Sequence, residues 1–442
     1  MTAHSAGHVS GDASLVKAIG VRQLTASIVN STVGAGIFVL PALVAQGVGA
    51  AAPLAFALCA AMMGLMAVTI AIAGSRVAST GGIYAYVQAA FGSYISLLAG
   101  VLQWLSMILA VSGVSAAMLD QVATFAPVLA SRPARVGLLA ATLGALAYLN
   151  ARGVRLGMRL IEGVTLAKLL PLLIFVAAGL FFVNPAHLAW PGLPGGDTVA
   201  RTVLLLIFAY SGVEIALSPS GEVREPARTV PRAVFLALAT ITALYIAIQI
   251  VAQGVLGPAL SQDTAAPLAS AAGLFLGRAG VTLLLLGAVC SMFGFLCGDM
   301  LSTPRSWYAL ARNGFLPGPL TRIHPVYRTP SVAIWTHAAL VLVLASTNTF
   351  EGLAIIGNVS LLGLYLLCCA AALQLTRRDT RVEASAPFAM RGAAVFPIAA
   401  AAFMLWILST ATMREIGVTA LVLAVATLVY VVQKQRQSIT ST

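Results

Sequence analysis

Long apolar segments recur along the whole chain and constrain its fold more than any other feature. Of the 442 residues, 60% are hydrophobic and only 9% are charged. A helix of about 20 apolar residues can cross a hydrocarbon core about 30 Å thick. Only helices and closed barrels can span lipid, because the backbone there finds no water partners. The segments lack the strict alternation of barrel strands, so they predict membrane-spanning helices.

Glycine, proline and charged residues divide the apolar sequence into about twelve helices. The sequence thus predicts an all-α integral membrane protein. The expected helical segments are 23–45, 50–74, 92–119, 134–150, 158–183, 199–219, 231–256, 279–312, 330–348, 351–375, 393–412 and 415–433.

The distribution of basic residues predicts the orientation of these helices. The chain has 25 Lys and Arg residues against 13 Asp and Glu, a formal net charge of +12. Most basic residues fall in the loops on one side, and cytoplasmic loops are the ones enriched in Lys and Arg. We therefore expect a multi-pass cell membrane protein, in a bacterial inner membrane, with cytoplasmic tails at 1–21 and 435–442. The charge is a topology signal and gives nucleic-acid binding no support.

Two predicted spans contain residues that interrupt a helix. Gly34 and Gly36 in the first span each cost a helix about 1 kcal/mol relative to alanine. Alone, this stretch fits a close helix contact through small residues equally well. The sixth span has Ser211 and Gly212 at its middle, and two interrupted spans in corresponding places are typical of inverted-repeat membrane proteins. The ends of broken helices favour one anionic and one cationic group, which suits a zwitterion.

Several segments resemble one family of permeases. "STVGAGIF" at 31–38 and "FAYSGVE" at 208–214 resemble the breaks of helices 1 and 6 in the amino acid/polyamine/organocation (APC) superfamily of LeuT-fold permeases. "GEVREPARTVPRAV" at 221–234 is similar to the loop after helix 6 of that family. "YALARNGFLP" and "HPVYRTPSVAI" within 308–334 are similar to the end of helix 8 and the loop that follows. The resemblance extends from about residue 20 to residue 375.

The resemblance implies both a fold and an activity. The expected fold has a transport core at 22–375, formed by a five-plus-five inverted repeat over 22–183 and 199–375. Two C-terminal helices follow in 376–434, and helices 1 and 6 are broken at mid-membrane. The expected activity is alternating-access transport of amino acids by proton-coupled symport or exchange.

The resemblance also implies a substrate site at the two breaks. Backbone N–H groups of residues 33–36 would bind the substrate carboxylate, and carbonyl groups around Ile37, Phe208, Ala209 and Ser211 would bind its ammonium group. The ring of Phe208 would close over the substrate. The substrate-binding residues expected at the breaks are Thr32, Val33, Gly34, Ala35, Gly36, Ile37, Phe208, Ala209, Ser211 and Gly212.

Lys168, Glu214 and Asp299 lie deep within predicted spans, where ionisable side chains are functional candidates. The resemblance places the Lys168 ammonium where sodium-coupled relatives bind their cation, bridging the backbone near Thr32 or Val33 to Ser302 and Thr303. Burial disfavours a charged lysine, so Lys168 could bind and release a proton. Snorkelling of Lys168 to the membrane surface is the structural alternative. Glu214 could either sense protons or tie helix 6 to a neighbour.

The side chains near the breaks leave the substrate class open. A pocket lined by Met107, Val111, Phe208 and Phe295 favours neutral amino acids, because an unmatched buried polar group is costly. Asp299 favours cationic amino acids or polyamines, carried by an antiporter. A non-transporting membrane receptor or a channel with the same fold is the alternative from another class.

Enzymatic chemistry has no candidate residues in this sequence. His187, His324 and His337 are scattered, and no phosphate-binding glycine loop is present. The five cysteines have no metal-binding spacing and are interpreted as packing residues. We therefore expect no enzyme activity, cofactor or metal. The expected partners are an amino acid or amine, protons and the lipid bilayer, and the sequence does not indicate an oligomeric state.

Overall fold

The computed structural model describes residues 20–77, 82–152, 168–190, 192–213, 226–312, 317–380 and 392–440. Within these ranges the regular structure is helical and contains no extended β-strand. The α-helices are α1 (Val21–Thr32), α2 (Leu40–Val48), α3 (Ala52–Gly74), α4 (Gly82–Phe91), α5 (Ser93–Phe125), α6 (Arg132–Arg152), α7 (Lys168–Phe182), α8 (Gly196–Tyr210), α9 (Pro226–Leu256), α10 (Pro267–Arg312), α11 (Ser331–Thr347), α12 (Phe350–Arg377), α13 (Val395–Leu408) and α14 (Met413–Thr440).

Many of these helices are apolar and long enough to cross a bilayer. Among the described residues, seven segments meet both conditions: Leu40–Gly74, Ser93–Phe125, Arg132–Arg152, Arg228–Gln262, Pro267–Arg312, Phe350–Arg377 and Met413–Val432. Shorter apolar helices are Lys168–Phe182, Ser331–Thr347 and Val395–Leu408. The all-helical, multi-pass character predicted from the sequence is confirmed, and the count of twelve spans stays a prediction.

The centre of the molecule is formed by α5, α8, α10 and α12. Helix α12 packs along α5, and both α10 and α11 also pack against α5. Gly357 allows α12 and α5 to approach each other closely. A Cβ atom added to Gly357 of α12 would lie 3.3 Å from Leu109 Cβ and 3.4 Å from the Ser106 carbonyl oxygen. On its other side, α12 is held to α8 by the Asn358 amide, which donates to the Leu204 carbonyl over 2.8 Å.

Helical structure stops at both motifs that the sequence singled out. Helix α1 ends at Thr32, and a short 3-10 turn at Gly36–Phe38 precedes α2. Helix α8 ends at Tyr210, after which Ser211 is extended. Gly212 has a φ of +111°, a conformation that favours glycine. Glu214 lies outside the described residues.

An ion pair joins α8 to the C-terminal helix α14. The two Arg201 nitrogens donate to the two carboxylate oxygens of Glu415 over 2.8 and 2.5 Å. The Thr412 N–H also donates to this carboxylate, over 2.8 Å. Parallel hydrogen bonds of this kind are stronger and more specific than single contacts. The pair therefore fixes α14 to the first turns of α8.

We expect Glu415→Ala to destabilise the protein by roughly 1–3 kcal/mol, because the substitution leaves a partly buried guanidinium and an N–H group without their acceptor. The measurement is the thermal unfolding midpoint in detergent. Asp120→Ala is the matched control, since the Asp120–Arg135 pair is more exposed, at 40% and 29% of the side chains. Exposed pairs contribute about 0–1 kcal/mol. Equal effects of the two substitutions would contradict a structural role for the Arg201–Glu415 pair.

Candidate functional site

A cavity lies where the ends of α1 and α8 meet α5, α10 and α12. Its volume is about 60 Å³. Small-molecule sites typically have volumes of about 300–1,000 Å³. The cavity is thus smaller than a site that encloses an amino acid, so a substrate could enter only after the surrounding side chains or helices move. The lining residues are Ser31, Ser106, Met107, Ala110, Phe208, Ser211, Gly212, Phe295, Ala354, Gly357, Asn358 and Leu361.

The cavity contains part of the site expected from the sequence. Met107, Phe208, Ser211, Gly212 and Phe295 all line it. The other residues expected to bind substrate are not among those that line it. The contribution of α12 was not anticipated, although a polar amide inside an apolar span, such as that of Asn358, is a signal of function or of helix packing.

The residues at the ends of α1 and α8 contact each other directly. The Ser31 hydroxyl lies 3.2 Å from the Gly212 carbonyl oxygen and 3.0 Å from that of Ile28. A Cβ atom added to Gly212 would lie only 3.0 Å from the Ser31 carbonyl oxygen. Glycine at position 212 therefore allows both the backbone conformation and the close approach of α1.

The backbone near the first interruption has unused donors. Among the described residues, the N–H groups of Gly34, Ala35 and Gly36 have no hydrogen-bond acceptor. The N–H of Val33 donates to the Val29 carbonyl over 2.9 Å, as in a continuing helix. The last turn of α1 already uses this donor, and the role of Val33 in binding a carboxylate stays a prediction.

The ring of Phe208 covers the first interruption. A Cβ atom added to Gly36 would lie 2.9 Å from a ring carbon of Phe208. The ring is also in edge-to-face contact with Phe350 of α12, with the centroids 5.1 Å apart. Since Phe208 lines the cavity as well, its ring separates the cavity from the backbone at Gly36.

A buried tyrosine connects the two helix ends from the side of α9. The Tyr245 hydroxyl oxygen lies 3.2 Å from the Thr32 carbonyl oxygen and 3.1 Å from that of Ala209. Its side chain is fully buried. Sequence reasoning missed this residue, because a tyrosine within an apolar span is a common packing residue and its partners are distant along the chain.

We expect Tyr245→Phe to destabilise the protein by about 1 kcal/mol, because the substitution removes the hydrogen bonding between the helix ends. The measurement is the thermal unfolding midpoint in detergent. Tyr210→Phe is the comparison, since this buried phenol bonds the Phe56 carbonyl and Thr242 instead. An unchanged midpoint for Tyr245→Phe would show that its bond to the helix ends is dispensable.

Lys168 contacts α1, although at a different residue from the one expected. Its ammonium group donates to the Asn30 carbonyl oxygen over 2.5 Å. The expected bridge to Ser302 and Thr303 is not present. Ser302 donates to the Gly298 carbonyl within α10, and Thr303 donates to the Asp299 carboxylate. Both hydroxyl groups are thus used by acceptors four residues earlier on their own helix.

Asp299 does not line the cavity. Its carboxylate is buried, with one oxygen 2.6 Å from Thr303 Oγ1 and the other 2.6 Å from His337 Nε2. Both carboxylate oxygens thus have partners within the protein, and contact of Asp299 with substrate stays a prediction. His337, which the sequence presents as one of several scattered histidines, is its partner from α11.

Known proteins resemble this chain over most of its length. The profile of the amino acid permease family matches residues 19–435. A branched-chain amino acid permease of Bacillus subtilis is 27% identical, and the alignment covers 90% of this chain and 89% of the relative. A methylthioribose transporter of the same organism is 26% identical over 96% and 95% of the two chains. A serine/threonine exchanger, also from Bacillus subtilis, is 26% identical over 83% and 85%.

The profile match and the helical fold identify the class of protein. The matched region includes every helix around the cavity. Proteins with this profile move small molecules such as amino acids across membranes and are transporters rather than enzymes. The chain belongs to the amino acid permease family of the APC superfamily.

Proposed function

We propose that this protein is a secondary active transporter of neutral L-amino acids with alternating access. The observation that carries the proposal is the cavity, where apolar side chains lie beside the helix interruptions. Met107, Phe208, Phe295 and Leu361 provide apolar surface for a substrate side chain. The N–H groups of residues 34–36, which have no acceptor among the described residues, lie outside the cavity lining, and they would become donors for a carboxylate once the Phe208 ring moves away from Gly36.

The charge of the cavity supports neutral over cationic substrates. Among the described residues, no acidic or basic side chain lines the cavity. A buried cation without a partner is strongly unfavourable. Asp299, the residue that favoured lysine or a polyamine, is already bonded to His337 and Thr303. Antiport of cationic amino acids thus has less support than transport of neutral ones.

The relatives support the same class of substrate. Two of them are named for neutral amino acids, the branched-chain permease and the serine/threonine exchanger. The methylthioribose transporter is named for an uncharged substrate that has no amino acid backbone. Leucine is the first substrate to test, because apolar side chains dominate the cavity lining.

The test is counterflow of labelled leucine, serine, lysine and methylthioribose in proteoliposomes loaded with each unlabelled compound. We expect saturable leucine counterflow and little accumulation of lysine. Flux that ignores substrate on the opposite side would indicate a channel. The absence of counterflow with every amino acid would contradict the proposal.

Coupling to protons through Lys168 is the second part of the proposal. Lys168 lies against the last turn of α1 before the interruption, so a change in its charge would act directly on the helix that lines the site. Release of its proton would remove the charge that the Asn30 carbonyl stabilises. The role of Glu214 in coupling stays a prediction.

The membrane arrangement completes the proposal. We infer two inverted repeats at 22–183 and 199–375, with breaks of helices 1 and 6 at mid-membrane and two C-terminal helices beyond the core. The basic loops support an orientation in the cell membrane with both termini in the cytoplasm. This orientation places the cytoplasmic ends of α1 and α7 on the same side.

A further inference from the structure

An acidic and a basic side chain pair in the interior at a place that the proposed function does not use. Asp299 of α10 and His337 of α11 are 8% and 0% exposed. Their nearest side-chain atoms, Oδ2 and Nε2, lie 2.6 Å apart. The second carboxylate oxygen accepts a hydrogen bond from Thr303 over 2.6 Å. Both carboxylate oxygens therefore have a donor, and the imidazole is held by one nitrogen.

The other imidazole nitrogen of His337 has no hydrogen-bond partner in the described part of the chain. Among the described residues, no group forms a hydrogen bond with His337 Nδ1. With the carboxylate ionised, Nε2 must carry the hydrogen that Asp299 accepts. The pair then has a net charge of −1 when Nδ1 is bare and a net charge of zero when Nδ1 is protonated. Nδ1 is thus the atom at which this pair gains or loses a proton.

The bare and the protonated form of His337 Nδ1 each carry a different energetic cost, so burial alone excludes neither form. A bare Nδ1 leaves a buried negative charge without compensation, which is unfavourable in a low-dielectric interior. A protonated Nδ1 removes the net charge but leaves a buried N–H without an acceptor, at a cost of about 1–3 kcal/mol. A site balanced in this way can change its protonation when its surroundings change.

Among the described residues, no other charged group forms an ion pair with Asp299 or His337. Helices α2, α5, α6, α9 and α11 pack against α10. In the described part of the chain, none of the other titratable side chains on α10 or on these helices forms an ion pair or hydrogen bond with Asp299 or His337. These side chains are Tyr94, Asp120, Arg132, Arg135, Tyr148, Arg152, Arg228, Arg232, Tyr245, Arg278, Cys290, Cys297, Arg305, Tyr308 and Arg312.

The pair is connected to the cavity along α10. Phe295 lines the cavity, and Asp299 follows it by four residues, which places both on the same face of the helix. The His337 ring is in edge-to-face contact with Trp307, with the centroids 5.7 Å apart. Trp307 in turn contacts Trp104 of α5, at 5.3 Å. A change in the charge of the pair would thus act on helices that carry cavity residues.

We propose that His337 Nδ1, with Asp299 as its counter-ion, is a proton-binding site separate from Lys168 that makes transport respond to pH. A hydronium ion transfers a proton to the Nδ1 lone pair, so that one N–H bond forms, one O–H bond breaks and a water molecule is released. The proton neutralises the pair and stabilises the packing of α10 on α11. Its loss leaves a buried carboxylate charge and weakens that packing.

The first test observes the proton directly and needs no substrate. The purified protein is labelled with 15N-histidine, and the imidazole resonances are recorded between about pH 5 and pH 8, where histidine changes its charge. His337→Gln identifies the His337 resonance by its loss. We expect this resonance to shift with pH in the wild type and to keep the neutral form in Asp299→Asn. A resonance that does not respond to pH in the wild type, or that titrates identically in Asp299→Asn, would overturn the proposal.

The second test measures the effect on transport. Leucine exchange is recorded at equal pH on both sides, so that no proton gradient contributes. The variant Asp299→Asn/His337→Gln keeps a hydrogen-bonded pair of similar size without any titratable group. Over the pH range in which the wild-type exchange rate changes at least threefold, we expect the exchange rate of this variant to change less than twofold.

His187→Gln is the matched control, because the His187 ring nitrogen bonds the Gly254 carbonyl outside this pair. We expect the wild-type pH profile in this control. A wild-type pH profile of leucine exchange in the folded Asp299→Asn/His337→Gln variant would overturn the proposal that this pair makes transport respond to pH. Failure of leucine exchange in every form would contradict the proposed function, whereas the resonance experiment would still decide on the proton site.

Discussion

Gly212→Val is expected to reduce leucine exchange to less than about one-tenth of the wild-type rate. The φ of +111° at this position is unfavourable for any residue with a side chain. Such strain costs about 1–3 kcal/mol, and each 1.4 kcal/mol corresponds to a factor of ten. The added Cβ would also lie 3.0 Å from the Ser31 carbonyl oxygen. The chain would have to move away from α1 and thereby change the cavity.

The control for this prediction is Gly144→Val in α6. No atom lies within 4 Å of a Cβ built on Gly144, so the side chain would extend into open space. We expect this variant to exchange leucine at close to the wild-type rate. Equal losses in both variants would indicate a general effect of valine on folding, and a normal rate for Gly212→Val would show that the contact with Ser31 is not required.

Lys168→Ala is expected to abolish accumulation of leucine driven by a proton gradient, with at least a tenfold loss. Among the described residues, the substitution removes the only basic side chain that donates a hydrogen bond to the backbone of α1 near the cavity. It also leaves the Asn30 carbonyl without this charged donor, which costs about 1–3 kcal/mol. The measurement is leucine uptake in sodium-free buffer with and without an inward proton gradient.

Leucine counterflow without a gradient separates coupling from binding in this variant. We expect counterflow to be retained in part, because the lining of the cavity does not include Lys168. Leu170→Ala is the control on the same helix, with a side chain that is 52% exposed. Gradient-driven uptake that survives Lys168→Ala at the wild-type level would remove Lys168 from the coupling role.

The sequence predicted those parts of the site that depend on local signals. Apolar runs identify helices, and glycine with serine identifies the places where α1 and α8 end. Phe208 lies in a segment that resembles a known family, and Met107 and Phe295 were expected near it as apolar residues of neighbouring spans; all three line the cavity. These features depend on neighbouring residues or on short motifs, so one sequence is enough to recognise them.

Contacts between distant segments could not be predicted in the same way. His337 and Asp299 are 38 positions apart, and Tyr245 lies 213 positions from Thr32. Their pairing depends on how helices rotate and tilt against each other, which no short motif encodes. Lys168 was expected near Thr32 or Val33 and contacts the Asn30 carbonyl, two positions before Thr32, because a small shift along α1 changes the carbonyl that a long side chain can reach.

The position of Tyr245 has a consequence for water inside this protein. A phenol has one hydrogen, so its hydroxyl can donate to the Thr32 carbonyl or to the Ala209 carbonyl, but not fully to both. The two helix ends share this donor in a fully buried place. If α1 and α8 separate there, at least one carbonyl loses its partner and needs a water molecule instead. Separation of the helix ends and hydration of the interior are then a single event.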